Sequence, residues 1–406
     1  MRTMDKKIAI VGGGIGGLAA ALACTRSGLQ VQLLEQSPVF SEVGAGIQMG
    51  PNVVRVLEGW GLGAQLKAVA AFPPQLEVRN ALSAALLATL PLGQKMVQRY
   101  GAAYASIARA DLHSLLLTAL CQQGSAELML GCEVTAVTQD DEAVQVQVAS
   151  SPVVKGGILQ ANVLIGADGL WSRVRAQVLH GGGPRVTGHL AYRAMLPQSD
   201  LPQALRSQGV TAWMGPDFHV VQYPVRGGDW LNVVAIVHGE APGDLTSWDH
   251  SANAAELRAK LANASGPLLD LVHAIPDWRL WSLCDRPPMR SAAEHARGRI
   301  ALLGDAAHPM RPYLAQGAGM AIEDAAELAR VLVVSGQTVP AALQRYATNR
   351  WARNARVQAR SIRNGTIFHM KGPMRAGRDL SLRLLGQQLL DVPWLYQGHK
   401  STGKAS

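Results

Sequence analysis

A glycine-rich turn between an apolar strand and an apolar helix is the feature that most constrains the fold of this chain. Residues Lys7–Val11 form a continuous apolar run typical of a buried parallel strand, and the sequence Gly12-Gly13-Gly14-Ile15-Gly16-Gly17 follows directly. An Ala- and Leu-rich stretch over 14–27 predicts a helix, and residues 31–35 predict a second strand. The order strand, turn, helix, strand is typical of a Rossmann-type α/β domain.

The spacing of these glycines has a chemical reason. Gly12 makes the tight turn, Gly14 lets the backbone approach a pyrophosphate, and Gly17 lets the helix pack closely. The phosphates would lie at the N-terminus of the helix, and the Glu35 carboxylate would accept hydrogen bonds from ribose hydroxyls. The sequence therefore predicts an adenine dinucleotide site, and the fingerprint alone leaves open whether the dinucleotide is FAD or NAD.

The hydrophobic pattern changes character in the middle of the chain. After the glycine-rich stretch 180–184 the periodicity becomes alternating, which predicts strands over 190–196, 218–225 and 230–237 with a hairpin turn over 226–229. A helix is predicted over 251–271. A buried strand over 299–303 and a long helix over 319–334 then repeat the strand-and-helix pattern of the N-terminal segment. The expected fold class is α/β, with a Rossmann-type domain interrupted by a β-rich domain and followed by C-terminal helices.

Composition excludes several classes of protein. Four cysteines stand far apart without a Cys-x-x-Cys pair, so no disulfide framework or zinc site is expected, and no other side chains show metal-ligand spacing. No apolar stretch approaches the roughly 20 residues of a membrane span. No Gly-x-Ser-x-Gly occurs, so hydrolase chemistry is not supported. We expect a cytoplasmic protein with no membrane partner, as a monomer or homodimer.

The formal charge of +9 is concentrated near the C-terminus. Between residues 345 and 378 there are nine basic residues and no acidic one. Nucleic-acid binding is one interpretation, but the charges show no regular interleaving with aromatic residues, and no nucleic-acid motif accompanies them. A solvated helix face is the interpretation we favour, because steps of three to seven residues place several arginines on one side.

Two later motifs decide the identity of the dinucleotide. The sequence Gly166-Ala167-Asp168-Gly169 follows a buried strand, and Gly304-Asp305-Ala306-Ala307-His308-Pro309 follows another. Together with the N-terminal fingerprint, they resemble the three-motif set of the class A flavoprotein aromatic hydroxylases, in its order and approximate spacing. The resemblance extends from residue 7 to about residue 363.

Further segments are similar to one subgroup of that family. These are residues 42–52, 100–104, 109–113 and 219–224. The subgroup contains 3-hydroxybenzoate 6-hydroxylase, salicylate hydroxylase and 6-hydroxynicotinate 3-monooxygenase. The resemblance implies noncovalent FAD, reduction by NADH or NADPH with NADH favoured, and insertion of one atom of dioxygen into a phenolic ring through a flavin C4a-hydroperoxide. A flavin oxidase or reductase of the same fold, without ring hydroxylation, is the alternative.

The resemblance also assigns cofactor contacts and domains. It implies an FAD domain formed by 1–76, 103–180 and 290–335, a substrate domain formed by 77–102 and 181–289, and a C-terminal helical region over 336–406. His308 and His113 are expected to be structural. The implied FAD contacts are Gly12, Gly14, Gly16, Gly17, Glu35, Gln36, Gln48, Arg109, Val134, Asp168, Asp305, Gly317 and Ala318.

The candidate substrate residues lie on the strand over 218–225. His219 and Tyr223 are four residues apart, so they face one way together with Val221, and matching residues line the substrate site in the subgroup. We expect His219 to take, or to hydrogen-bond, the phenolic proton, since an unperturbed imidazole pKa of about 6.5 suits that task.

The loop over 311–313 adds candidates for the substrate pocket: Arg311, Pro312 and Tyr313. Arg311 is a candidate partner for a substrate carboxylate. Pro312 replaces the Gln of the 3-hydroxybenzoate 6-hydroxylase type and is closer to the salicylate hydroxylase pattern, while Gln48 and Tyr313 replace histidines of the hydroxynicotinate enzyme. The expected substrate is a small phenolic aromatic acid, with salicylate-like acids first, 3-hydroxybenzoate second and hydroxynicotinates third.

Overall fold

The elements follow the chain order that the hydrophobic pattern predicts. A computed structural model describes residues 6–40, 45–150, 155–180, 182–240, 243, 250–251 and 254–398. The first part of the predicted motif over 42–52, namely Glu42, Val43 and Gly44, lies outside these residues.

The strands are the scaffold for the candidate sites. Within the described residues they are β1 (Lys7–Val11), β2 (Gln30–Glu35), β3 (Gly46–Met49), β4 (Gln75–Asn80), β5 (Leu86–Pro91), β6 (Ala105–Ala108), β7 (Ala126–Leu130), β8 (Val134–Gln139), β9 (Val144–Val148), β10 (Gly157–Ala161), β11 (Val163–Gly166), β12 (Arg185–Pro197), β13 (Val210–Met214), β14 (Phe218–Val225), β15 (Trp230–His238), β16 (His250–Ser251), β17 (Arg279–Asp285), β18 (Ala296–Arg297) and β19 (Ile300–Leu302).

The helices range from a single turn to 30 residues. Within the described residues they are α1 (Ile15–Arg26), α2 (Pro51–Gly59), α3 (Gly63–Val69), α4 (Gln94–Tyr100), α5 (Arg109–Gln123), α6 (Arg173–Leu179), α7 (Ala254–Lys260), α8 (Gly266–Ala274), α9 (Gly317–Leu332), α10 (Val339–Phe368), α11 (Gly372–Leu390) and α12 (Pro393–Tyr396).

The chain divides into two compact units. Unit 1 comprises 1–42, 112–185 and 285–361, and unit 2 comprises 43–111, 186–284 and 362–406. Boundaries between the units fall within α5, β12, β17 and α10. Residues 43–76 and 103–111, which the sequence analysis places in the FAD domain, group with unit 2. The assignment of cofactor and substrate to particular segments stays a prediction.

Unit 1 has the predicted Rossmann-type architecture. Its six-stranded sheet has the order β18-β19-β11-β1-β2-β7, and all neighbours except β18 and β19 are parallel. The strands read as continuous apolar runs because parallel strands are buried on both faces. Helix α1 packs against α9 on this sheet. The predicted α/β class is confirmed.

Unit 2 is built on an eight-stranded sheet with the order β16-β17-β12-β15-β14-β13-β4-β5. Alternation along β12, β14 and β15 directs one set of side chains, among them Tyr192, Val220 and Val233, into an apolar core. Leu257 of α7 and Leu268 of α8 complete that core. The predicted helix over 251–271 is wrong in detail: Ser265 precedes α8 as its N-cap, and the Gly266-Pro267 pair begins a separate helix.

The arginines of α10 do not simply form a solvated face. Arg350 is fully buried, with its Nε donating to Asp324 at 2.7 Å and its Nη1 donating to Glu323 at 2.9 Å. Arg353 donates to both oxygens of the Glu323 carboxylate. The favoured interpretation is therefore wrong for these two arginines, because their acidic partners come from the preceding helix α9.

Candidate functional site: a dinucleotide turn and a polar sheet face

The three glycines of the fingerprint have three different surroundings. Gly12 has φ +105°, and a Cβ there would lie 2.5 Å from the Ala167 carbonyl oxygen. At Gly17 a Cβ would lie 1.8 Å from the carbonyl oxygen of Gly12, so helix and turn touch through backbone. At Gly14 a Cβ would meet nothing within 4 Å. Gly12 and Gly17 close the turn, and Gly14 leaves open the space that a pyrophosphate needs.

Two side chains hold the turn in place. The Gly13 N–H donates to Glu35 Oε2 at 2.6 Å, and the Ser37 N–H donates to Glu35 Oε1 at 2.7 Å. On the other side, His113 Nε2–H donates to the Gly13 carbonyl at 2.9 Å. Glu35 thus ends β2 with an oriented carboxylate, and Gln36 follows it as an exposed residue. The role of His113 could not be read from the sequence, because its partner is a backbone oxygen 100 residues away.

Asp168 lies beside the fingerprint and caps a helix. Its Oδ1 accepts from Ser172 Oγ at 2.6 Å, and its Oδ2 accepts from the Val174 N–H at 3.1 Å, at the start of α6. Burial raises the pKa of the Asp168 carboxyl, although these hydrogen bonds act in the opposite direction. A Cβ on Gly12 would lie 3.0 Å from the Asp168 Cα, so this aspartate borders the dinucleotide turn.

The second cofactor motif forms a tight turn at the end of β19. Gly304 has φ +58°, and Asp305 is exposed between buried neighbours. His308 is fully buried, and its Nε2–H donates to Asp324 Oδ2 at 2.5 Å. His308 thus anchors the turn, and Asp305 is the member of the motif that a ligand can reach.

Helix α9 begins with the residues predicted to contact the flavin. The Met320 N–H makes the first helical bond, to the Gln316 carbonyl at 2.8 Å, so the N–H groups of Gly317 and Ala318 precede that bond. Around Gly317 the nearest atom to an added Cβ is Met310 Cγ at 4.0 Å. The helix end therefore combines open space with a positive dipole, which is a fit for an anionic ring.

The remaining predicted cofactor residues have defined partners. Val134 is buried at the start of β8 in unit 1. In unit 2, Gln48 Oε1 accepts from the Tyr104 hydroxyl at 2.9 Å, and Arg109 begins α5 with its N–H donating to the Ala45 carbonyl at 2.7 Å. Contacts of Gln48, Arg109 and Val134 with FAD remain predictions.

In unit 2 the register of three strands gathers polar side chains on one face of the large sheet. His189 pairs with His238, while Arg193 and Val221 both pair with Val234 of β15. Paired residues point to the same face, and the opposite face carries the apolar core. This polar face contains His189, Arg193, His219, Tyr223, Asn232 and His238.

His219 is buried in the polar face, with 3% of its surface exposed. Its Nδ1 lies 2.8 Å from His369 Nε2. Burial, then the neighbouring His369 and His189, holds the pKa of His219 well below its ordinary value. The expectation of an ordinary imidazole pKa is therefore wrong, because sequence spacing did not show that other histidines fold against this one.

Tyr223 is held by a close approach of backbone. The ribbon of β3 and β6 passes so near that a Cβ on Gly46 would lie 2.5 Å from the Tyr223 ring. The Gly46 N–H donates to Asn232 Oδ1 at 2.6 Å, and Asn232 is the register partner of Tyr223. Burial raises the pKa of Tyr223, so its hydroxyl stays protonated as a donor. The part played by Asn232 could not be read from the sequence, because its partner Gly46 is 186 residues away.

Arg193 is a cation that the sequence analysis missed. Its guanidinium carbon lies 4.6 Å from the centre of the Trp281 ring, and its buried Nε has no hydrogen-bond partner among the described residues. Burial lowers the pKa of Arg193 to about 10, and the nearby Tyr223 acts in the opposite direction. The signal in the sequence was a single arginine within the otherwise largely apolar run 190–196.

The loop over 311–313 in unit 1 contains the three predicted pocket residues Arg311, Pro312 and Tyr313, and their role in substrate binding remains a prediction. Arg311 Nε donates to Asp285 Oδ2 at 2.7 Å, and Arg185 donates to the other oxygen of the same carboxylate. Pro312 is exposed, and Tyr313 is buried with its pKa raised by burial. The charge of Arg311 is thus already compensated by an acidic partner.

Comparison with known proteins agrees with this geometry. A family model described as FAD binding domain matches residues 5–361. The 3-hydroxybenzoate 6-hydroxylase of Polaromonas naphthalenivorans is 36% identical over 394 residues, covering 97% of this chain and 96% of that protein. The 6-hydroxynicotinate 3-monooxygenase of Bordetella bronchiseptica is 38% identical over 369 residues, covering 90% of this chain and 93% of that protein.

A solved structure agrees as well. A salicylate hydroxylase substrate complex has a TM-score of 0.79 at 27% identity, covering 98% of this chain and 99% of that one. The chain belongs to the FAD binding domain family and is a flavin-dependent aromatic monooxygenase of the class A hydroxylase fold. Among the described residues, none of the helices combines the length and hydropathy that a membrane span requires.

Proposed function

We propose that this monooxygenase hydroxylates a small phenolic aromatic acid on the polar face of unit 2, with NAD(P)H as reductant. The observation that carries the proposal is the shared face of His219, Tyr223 and Arg193. A neutral imidazole, a protonated phenol and a guanidinium with a buried Nε are complementary to a ring that carries one hydroxyl and one carboxylate.

The cofactor would be held mainly by unit 1. The N-terminus of α1 and the open space at Gly14 suit the pyrophosphate, Glu35 suits the adenosine ribose, and Asp305 suits the ribityl chain. Gly317 and Ala318 would face the ring at the start of α9. FAD bound there would accept electrons from NAD(P)H and activate dioxygen. One oxygen atom enters the substrate, and the other leaves as water.

His219 would accept the phenolic proton or its hydrogen bond. A lowered pKa keeps the imidazole neutral at neutral pH, so a ring nitrogen lone pair is available. Withdrawing the proton raises the electron density of the ring at its ortho and para carbons, where an electrophilic oxygen adds. Tyr223 would donate a hydrogen bond that orients the ring, worth about 0.5–1.5 kcal/mol.

Arg193 would bind the substrate carboxylate. Its Nε is buried and unpartnered within the described residues, whereas Arg311 already donates to Asp285. A charge-assisted hydrogen bond contributes about 1.5–3 kcal/mol, which sets the scale of the effect on KM. Arg193 therefore replaces Arg311 as the favoured partner of the carboxylate.

Two substrates have specific support. Pro312 favours a salicylate-like acid, while the similarity to a 3-hydroxybenzoate 6-hydroxylase favours 3-hydroxybenzoate. NADH consumption and product identity across salicylate, 3-hydroxybenzoate and 6-hydroxynicotinate would separate them, and the same assay with NADPH would test the preference for NADH. We place the reaction in the cytoplasm, where NADH is available and the four free cysteines would stay reduced.

Arg193→Met tests the carboxylate contact. It should raise KM for the carboxylated substrate about 10- to 100-fold, because one charge-assisted hydrogen bond is lost, and change turnover of a phenol without a carboxylate far less. Arg193→Lys should restore part of the affinity. An equal loss of catalytic efficiency for the carboxylated substrate and for the phenol without a carboxylate would show that Arg193 only supports the fold.

His219→Ala tests activation of the ring. The variant should retain FAD but form less hydroxylated product per NADH consumed, because a ring that keeps its phenolic proton is a weaker nucleophile. The measurement is product by chromatography against NADH by absorbance, at neutral pH. An unchanged ratio would remove His219 from the mechanism.

A further inference from the structure

Three imidazoles converge at one edge of the polar face. His189 of β12 and His238 of β15 are direct register partners, and His369 follows the last residue of α10. Each of the three offers a ring nitrogen, and these nitrogens all lie within 4.8 Å of one another. The ring centroids are 4.3 to 5.2 Å apart. Residues 180 positions apart thus form a cluster that spacing along the chain does not reveal.

The separation of two of these nitrogens matches that of two ligands of one ion. His238 Nε2 lies 3.2 Å from His369 Nδ1. In a tetrahedral zinc site with Zn–N bonds of 2.0–2.1 Å, neighbouring ligand nitrogens are roughly 3.3 Å apart. The pair already has this separation, and the His189 nitrogen lies within 4.8 Å of both.

His219 orients the His369 ring through a hydrogen bond. Its Nδ1 lies 2.8 Å from His369 Nε2, so a hydrogen on Nε2 leaves the lone pair of His369 Nδ1 directed at the cluster. In this tautomer His219 carries its own hydrogen on Nε2, so with the ion bound it would donate to the substrate oxygen. Without the ion the reverse tautomer, in which His219 Nδ1–H donates to His369, keeps His219 Nε2 as the acceptor of the phenolic proton. A hydrogen bond to the second ring nitrogen is the usual way in which a protein fixes a ligating histidine.

Access and charge are also suitable for a cation. His238 is exposed, while His189 and His369 are each 7% exposed, so an ion can enter from solvent and be largely enclosed. Lys260 Nζ donates to the His238 carbonyl at 2.9 Å, which turns its charge toward backbone. The Asp217 carboxylate pairs with Lys371 and offsets the effect of Arg378 on His369. The ligand set itself is three imidazole nitrogens.

We propose that His189, His238 and His369 form a binding site for a divalent transition metal ion, with Zn²⁺ as the favoured occupant and solvent completing the coordination. Imidazole nitrogen is a ligand that Zn²⁺, Cu²⁺ and Ni²⁺ share, and Mg²⁺ and Ca²⁺ prefer oxygen. The dinucleotide turn and its oxygen-activating chemistry do not require this ion, so the site is an addition to the proposed function.

The test is titration of the tag-free, FAD-loaded protein with Co²⁺ and Zn²⁺ after chelation and desalting. We expect one equivalent of Co²⁺ with visible absorption bands typical of tetrahedral nitrogen ligation, displaced by Zn²⁺. Mg²⁺ at the same concentration should produce no competition. Absence of these bands with micromolar protein and excess Co²⁺ would overturn the proposal.

Variants assign the ligands. His238→Gln and His369→Gln should each weaken Zn²⁺ binding by at least about tenfold, because one of three protein ligands is lost. His238 is exposed, so its substitution should leave the melting temperature unchanged and exclude misfolding as the cause. The control is His273→Gln, another exposed histidine in unit 2, which should bind Zn²⁺ as the parent does. Unaltered Zn²⁺ affinity in His238→Gln would refute the assignment.

Discussion

What a single residue can do in this protein depends on the atoms that surround it. Gly12 and Gly17 permit backbone contacts that a Cβ would break, whereas Gly14 borders open space. Arg193 and Arg311 are both arginines on apolar segments, yet one has a buried Nε without a partner among the described residues and the other donates to Asp285. The chemistry available to a residue therefore depends on neighbours that residue type alone does not reveal.

Gly14→Ala separates cofactor binding from folding. The added methyl group meets no protein atom within 4 Å, and φ at Gly14 is −72°, so the free energy of unfolding of the apoprotein should change by less than about 1 kcal/mol. The same methyl group would fill the space of the pyrophosphate, and the Kd for FAD should rise at least about tenfold, or 1.4 kcal/mol.

Flavin fluorescence during titration of the apoprotein measures the affinity for FAD, and urea unfolding measures the stability. Gly59→Ala is the matched control, because this helical glycine also has open space around its Cα. Full FAD affinity in Gly14→Ala would contradict the placement of the pyrophosphate beside Gly14.

At the scale of elements, the pairing of α9 with α10 depends on buried charge. The acidic residues Glu323 and Asp324 face Arg350 and Arg353, and all of these interactions are made away from solvent. His308 joins the same Asp324 carboxylate, so this network also holds the Asp305 turn. A helix that looks uniformly basic in sequence is therefore an electrostatic partner of α9, the helix that begins at the residues predicted to contact the flavin.

Arg350→Leu should destabilise the protein by about 3–5 kcal/mol, because it leaves the buried Asp324 carboxylate without its guanidinium partner and Glu323 with Arg353 alone. Urea unfolding followed by circular dichroism measures the loss. Arg345→Ala, at an exposed position of the same helix, should change the free energy of unfolding by no more than about 0.5 kcal/mol. Similar effects of the two substitutions would show that the network contributes little to stability.

At the scale of the whole molecule, buried histidines link stability to pH. Burial lowers the pKa of His219 well below its ordinary value, and lowers the pKa of His295 and of His369 to about 3. In the unfolded chain these imidazoles have a pKa of about 6.5. Below that pH the unfolded state binds more protons than the folded state, so acidification favours unfolding.

We expect the free energy of unfolding to fall between about pH 6.5 and pH 3, by up to about 1.4 kcal/mol per pH unit for each of these histidines. His369→Gln should reduce this slope by the contribution of one proton, even though Asp217 and Arg378 also act on His369. His273→Gln should keep the parent slope. Chemical unfolding at pH 7, 6, 5 and 4 measures the slope of the free energy of unfolding against pH. Identical slopes in the parent and the two variants would contradict the prediction.

The sequence alone determined the features that depend on local pattern. Continuous apolar runs identified the parallel strands, the glycine spacing identified the dinucleotide turn, and alternation placed His219 and Tyr223 on one face of β14. These features are local because strand period, turn geometry and the packing of a helix against its own turn involve residues within about 30 positions. Family membership followed from the same motifs.

The tertiary structure decided which distant groups meet. It brought His369 to His219, Glu323 to Arg350 and Asp285 to Arg311, and it left Arg193 on the face that carries Tyr223. These contacts set the pKa of His219 and the choice of carboxylate partner. Sequence pattern cannot supply them, because burial and Coulomb interactions depend on distances through space between residues that are 26 to 150 positions apart in the chain.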